Sequence, residues 1–205
     1  MSESSLMVAA EIILDIQTRY ANRGLSMAQL ALAGAERFVE FRHYPKNDLI
    51  DQVSGYEMYY HSHSLGEGRE EHGHFHLFKR DPLAPELFTH LVAISLNQQG
   101  LPIRLFTTNQ WVTGESMRAA DQSQILLQNF EIHAKGRMGP LAKWVSGLVH
   151  LYVAEISALL DQRDQCIQKL TTPDQPQAMI LQDRQHHVLS ELNISLLDKL
   201  EEVMH

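Results

Sequence analysis

One cysteine, Cys166, is all that 205 residues contain. That count excludes an intramolecular disulfide and a thiolate-built zinc cluster, and it fits a reducing compartment. Long apolar runs are also missing. The longest near the start, Leu6 to Ala10, is broken by Glu11 and preceded by Glu3 rather than by basic residues. The expectation is therefore a protein without a signal peptide or a membrane span, which needs roughly 20 apolar residues, and a cytoplasmic location. Basic residues are few, 17 Lys and Arg against 25 Asp and Glu, and they are scattered. A formal charge of -8 argues against a surface that tracks phosphates, so no nucleic-acid partner is expected. There is no internal repeat and no low-complexity tract.

What is abundant is histidine, with 12 residues. Five of them fall within Tyr56 to Phe78, YEMYYHSHSLGEGREEHGHFHLF. With a strand's period of two, His61 and His63 share one side of a first strand, and His72, His74 and His76 share one side of a second. The intervening LGEGREE has the glycines and charges of a hairpin loop. Directly opposed residues of an antiparallel pair lie on the same side of the sheet. A register whose paired numbers sum to an odd value, 63 with 72 or 63 with 74, therefore joins the two histidine rows. The same parity unites Tyr56, Met58 and Tyr60 with Phe75 and Leu77 on the other face. The pattern predicts a hairpin with one apolar face and one face bearing Glu57, Tyr59 and the five histidines.

The rest of the chain predicts α+β architecture: a small antiparallel sheet of about four strands flanked by N-terminal helices and a C-terminal helical hairpin. Ser4 and Ser5 cap a first helix, which Gly24 stops. Ser26 and Gln29 form a capping box for a second helix that includes Gly34, Phe38 and Phe41. His43-Tyr44-Pro45 ends it, and KNDLIDQ is a polar connector. His90–Leu96 and Ile103–Thr108 supply the third and fourth strands. Asp121 opens a helix, Pro140 starts another that runs to about Leu170, and a last helix from Leu181 to Val203 returns against it. The expected organisation is a single domain over 1–205, with N-terminal helices in 1–42, a histidine-rich sheet in 49–115 and C-terminal helices in 121–205.

Neutral imidazole binds Zn²⁺, Fe²⁺ and Cu²⁺, and ligands at i and i+2 on a strand reach one ion. His61, His63, His74 and His76, with His72 as a fifth candidate, are the expected metal ligands. The implied cofactor is a transition metal, zinc or iron first and copper after them. Glu71 is the choice for general base or for orienting an imidazole, with Glu57, Glu67 and Asp48 as further carboxylates. This reading makes the chain a metal-binding protein, in its enzymatic form a hydrolase or oxygenase acting on a small molecule. Three others stand beside it: a solvated, pH-responsive polar face; a metal-free pocket whose histidines bind a ligand or act as acid and base; and a noncatalytic module that self-associates through the C-terminal hairpin. His43, Tyr44 and Asp48 are placed to close over the histidine face or simply to form a helix-ending turn. His90, in phase with Val92, Ile94 and Leu96, reads as a core residue.

The run HSHSLGE, from His61 to Glu67, resembles the first half of the cupin metal motif, in which two histidines and a glutamate bind one metal. The glycine that follows in the motif falls at Gly73 rather than one residue later, no second cupin motif follows, and four strands do not make a jelly roll. The likeness is to the local i, i+2 geometry. The larger set, HYP at 43–45, YYHSH at 59–63, EHGHFHLF at 71–78 and WVTGE at 111–115, resembles a family of uncharacterised bacterial proteins and implies no activity.

Overall fold

The computed structural model describes residues 3–62 and 70–205. Two helices come first, α1 (Glu3–Ala21) and α2 (Met27–Ala31). Five strands follow: β1 (Tyr44–Ile50), β2 (Tyr56–Ser62), β3 (Glu71–Arg80), β4 (Phe88–Asn97) and β5 (Pro102–Thr108). Then come α3 (Gln110–Thr113), α4 (Ala120–Gln128), α5 (Gly139–Leu151), α6 (Val153–Leu170), α7 (Gln177–Ile180), β6 (Val188–Asn193) and α8 (Leu196–Met204). The six strands form one antiparallel sheet in the order β1-β2-β3-β4-β5-β6. The fold is α+β.

The central hairpin has the expected parity. Tyr60 opposes Phe75, Met58 opposes Leu77, and His61 opposes His74. On one face Met58, Tyr60, Phe75, Leu77, Val92, Ile94 and Leu105 join a core with α1 and α5, centred on the fully buried Trp144. Gly147 lets α1 approach α5 closely, since a Cβ there would stand 3.1 Å from Ile13 Cγ1. Pro140 lies in the first turn of α5, where its missing N–H costs nothing.

Four elements differ from the sequence expectation. The second helix stops at Ala31, because Ala33 and Gly34 take left-handed backbone conformations (φ 52° and 94°) that an α-helix cannot continue. The connector KNDLIDQ is largely strand β1, paired along the edge of β2. The long helix to Leu170 is two helices, interrupted at Tyr152 (φ -107°, ψ 22°). In place of the returning helix of a C-terminal hairpin, residues 188–193 form β6. Val188, Leu189 and Leu192 suit a helix or a strand equally in local sequence. Pairing with the open edge of β5 decides between them, and Ser190 Oγ is fixed by Leu159 O (2.8 Å) and Thr107 Oγ1 (2.7 Å).

Candidate metal centre

The alternate residues of β2 and β3 carry the histidines to the sheet's second face. Because His61 and His74 are directly opposed and His76 follows two residues on, three rings meet at one point. Their Nε2 atoms converge: His61 to His74 is 2.6 Å and His74 to His76 is 3.0 Å. One nitrogen from each ring lies within 4.8 Å of the others. His74 and His76 are buried, and His61 is at the margin.

Two β-bulges decide which neighbours share this face. Between Glu71 and Gly73 the β3–β4 register shifts, and His72 leaves the histidine row. Its Nδ1 meets Tyr60 Oη at 2.7 Å, and its ring packs on Phe38, both on the core side. His72, expected among the ligands, is thus not brought to the other three. The same irregularity turns Glu71 onto the histidine face. A second shift, between Leu77 and Phe78, skips Leu91 on β4 and sets His90 opposite Phe78. His90 therefore leaves the phase of Val92 and Ile94 and stands against His76, with Nε2 3.0 Å from His76 Nδ1. Strict alternation had put it in the core, and only the bulge re-aims it. His63 and Glu67 lie outside the described residues.

Each of two ligand candidates is held from behind. Glu71 Oε1 accepts from His74 Nδ1 at 2.7 Å, and its Oε2 accepts from Arg104 Nη2 at 2.6 Å. Burial alone would raise the Glu71 pKa, but the hydrogen bond from His74, the charge of that ring when protonated and the Arg104 charge hold it down at about 2. An ionised carboxylate at Nδ1 fixes the proton there, so His74 Nε2 presents its lone pair to the centre. On the other side, the chain runs from His76 through His90 to Thr108 Oγ1, 3.3 Å from His90 Nδ1. Burial, then the charges of neighbouring rings, keeps His76 well below the usual histidine range, and burial with the Arg163 charge takes His90 to about 3. Both rings are neutral, the form that binds metals.

His43, just before β1, stacks on Tyr59 with ring centroids 3.6 Å apart. Its Nδ1 is 2.9 Å from Asp48 Oδ1. Glu57 is buried on the same face but is committed to Arg80. Arg104 is committed too, bridging Glu71 and Glu191. A cavity of about 730 Å³ opens beside His74, lined by Phe41, Ile103, Arg104, Phe106, His187 and Val188. Trp111 donates from Nε1 to His186 O.

A family-level profile matches residues 7–194, a span that includes all six strands and every residue of the histidine face described above. The chain belongs to the family described as domain of unknown function DUF6969. No curated protein and no solved structure gives a significant match. The DUF6969 match agrees with the resemblance to an uncharacterised family, and it leaves the function to be argued from the site. Among the described residues no helix is long and apolar enough to cross a membrane.

Proposed function

We propose that this protein binds a transition metal ion, zinc or iron first and copper after them, through Nε2 of His61, His74 and His76. The observation that carries the reading is the crowding at His74 Nε2. With its proton fixed on the Glu71 side, this nitrogen has one lone pair, yet two ring nitrogens approach it at 2.6 and 3.0 Å. A purely proton-linked arrangement seats two N–H donors on that single pair. A cation among the three satisfies all the rings at once. The spacing agrees: rings bound to one ion at about 2.0 Å per Zn–N bond have centroids about 5 Å apart. The observed separations are 4.3, 4.6 and 5.2 Å.

Three imidazoles without thiolate make a site that keeps a position for water or substrate, and the cavity beside His74 gives a small molecule access to it. This supports a metalloenzyme of hydrolase or oxygenase type. Glu71 fits the orienting role and not the general base, because both of its oxygens are engaged and its affinity for protons is low.

Elemental analysis of the full chain purified without an affinity tag tests the reading. The expected result is close to one metal per chain, lost in His74→Ala. Restoring metal at about 100 times its dissociation constant should stabilise the metal-free protein by roughly 2.7 kcal/mol. A tag-free protein that holds no metal and whose melting is unmoved by Zn²⁺, Fe²⁺ or Cu²⁺ rules the proposal out.

A further inference from the structure

Beyond the three rings lies a second carboxylate–imidazole unit built on the same plan as Glu71 and His74. Asp48 Oδ1 holds His43 Nδ1 at 2.9 Å, which leaves Nε2 as the lone-pair nitrogen in the neutral ring. Asp48 does this from a left-handed backbone conformation, φ 50°, which aspartate adopts more readily than most side chains. The ring plane of His43 is set by Tyr59, stacked at an interplanar angle of 7°. Tyr59 in turn touches two of the candidate ligands, with centroids 5.8 Å from His61 and 5.2 Å from His76.

From these observations we infer that His43 is a fourth, displaceable ligand of the metal centre, presented by Asp48 and Tyr59. The inference rests on the metal-binding reading above. The His43 and His61 centroids are 6.3 Å apart, and closing that gap by about 1 Å gives the spacing of two rings on one ion. His43 has room to move, because its side chain is 41% exposed and it sits before the first strand rather than within it. All three inner rings are placed by the sheet, and His74 and His76 are also held by Glu71 and His90. An ion held by four imidazoles is closed, and withdrawal of His43 toward solvent opens the coordination position that a substrate entering from the His74 side would use.

Cu²⁺ binding to the tag-free, metal-stripped full chain, followed by electron paramagnetic resonance to count bound nitrogens, tests this. Competition with a chelator supplies the affinity. His43→Phe keeps the stack on Tyr59 and removes the nitrogens. The expected result is four nitrogens in the wild type and three in His43→Phe, with affinity reduced roughly tenfold or more. Asp48→Asn should weaken binding by a smaller factor. His74→Ala should abolish it. If His43→Phe binds with wild-type affinity, or binds more weakly with an unchanged nitrogen count, His43 is not a ligand and the three-histidine proposal stands alone. If the wild type takes up no Cu²⁺ or Zn²⁺, both ideas fall together.

Discussion

Glu71 shows how much of the centre hangs on one side chain. It decides the tautomer of His74, and Arg104 keeps it ionised by pairing with its second oxygen. Glu71→Ala removes no metal ligand, so the fold should survive and the metal affinity should fall 10- to 100-fold, the usual cost of losing an orienting carboxylate. Chelator competition checks this. Loss of all binding would instead mean that Glu71 is itself a ligand. Residue chemistry alone was enough to nominate Glu71 and His74, since imidazoles with a nearby carboxylate are visible in any reading of EHGHFHLF. It was not enough to exclude His72, whose ring is identical and whose parity is the same. Backbone geometry separates them.

At the scale of elements, that geometry resides in two bulges and one glycine. A Cβ on Gly73 would lie 2.3 Å from His61 O and 2.7 Å from Ser62 Cα, so β2 and β3 meet here at a distance only glycine permits. Gly73→Ala is expected to destabilise the protein by about 3 kcal/mol and to abolish the proposed metal binding, because the strands must part where the three histidines converge. Denaturant unfolding and metal titration measure the two effects. The parity of the β2–β3 register was legible because both faces of the hairpin carry matching signals, imidazoles on one and apolar residues on the other, and the structure selects one of the two registers that share it. The bulges at His72 and Leu91 were not. A period-two pattern continues across an inserted residue without a mark, and each insertion moves one histidine to the opposite face. Likewise Val188–Asn193 has no local feature that prefers a strand. The backbone edge of β5 supplies that preference from 80 or more residues away.

For the whole molecule, the buried ionisable groups beneath the centre set opposing pH dependences. Unfolded histidines take up protons near pH 6.5, whereas His90 in the fold does so only near 3 and His76 also resists. The unfolded chain binds more protons in that interval, so stability is lost as pH falls below about 6.5. Glu115 acts in the other direction. Burial, partly offset by its hydrogen bond from the His90 backbone N–H and by Arg163, pushes its carboxyl up to about 7 from 4.5. Here the folded chain binds more protons, and the contribution to stability falls as pH rises from 4.5 to 7. Glu115→Gln removes this term and keeps an oxygen for the His90 N–H. Relative to wild type, the variant should gain about 3 kcal/mol in stability between pH 4.5 and 7. Melting curves recorded across that range with a chelator present, so that metal does not contribute, provide the check. A constant difference between the two proteins would show that Glu115 titrates normally.

Sequence by itself determined the α+β class, the absence of a thiolate site, the two-faced hairpin and the parity that puts His61 and His74 on one face. These follow from composition and from periodicities that act over a few residues. Tertiary structure decided that the sheet has six strands, that His72 leaves the row, that His90 enters behind His76, and that His43 is braced by Asp48 against Tyr59 near the centre. Each of these depends on a register shift, an edge pairing or a loop conformation. Such features are fixed by contacts between segments distant in the chain, whose energies leave no periodic trace in either partner alone.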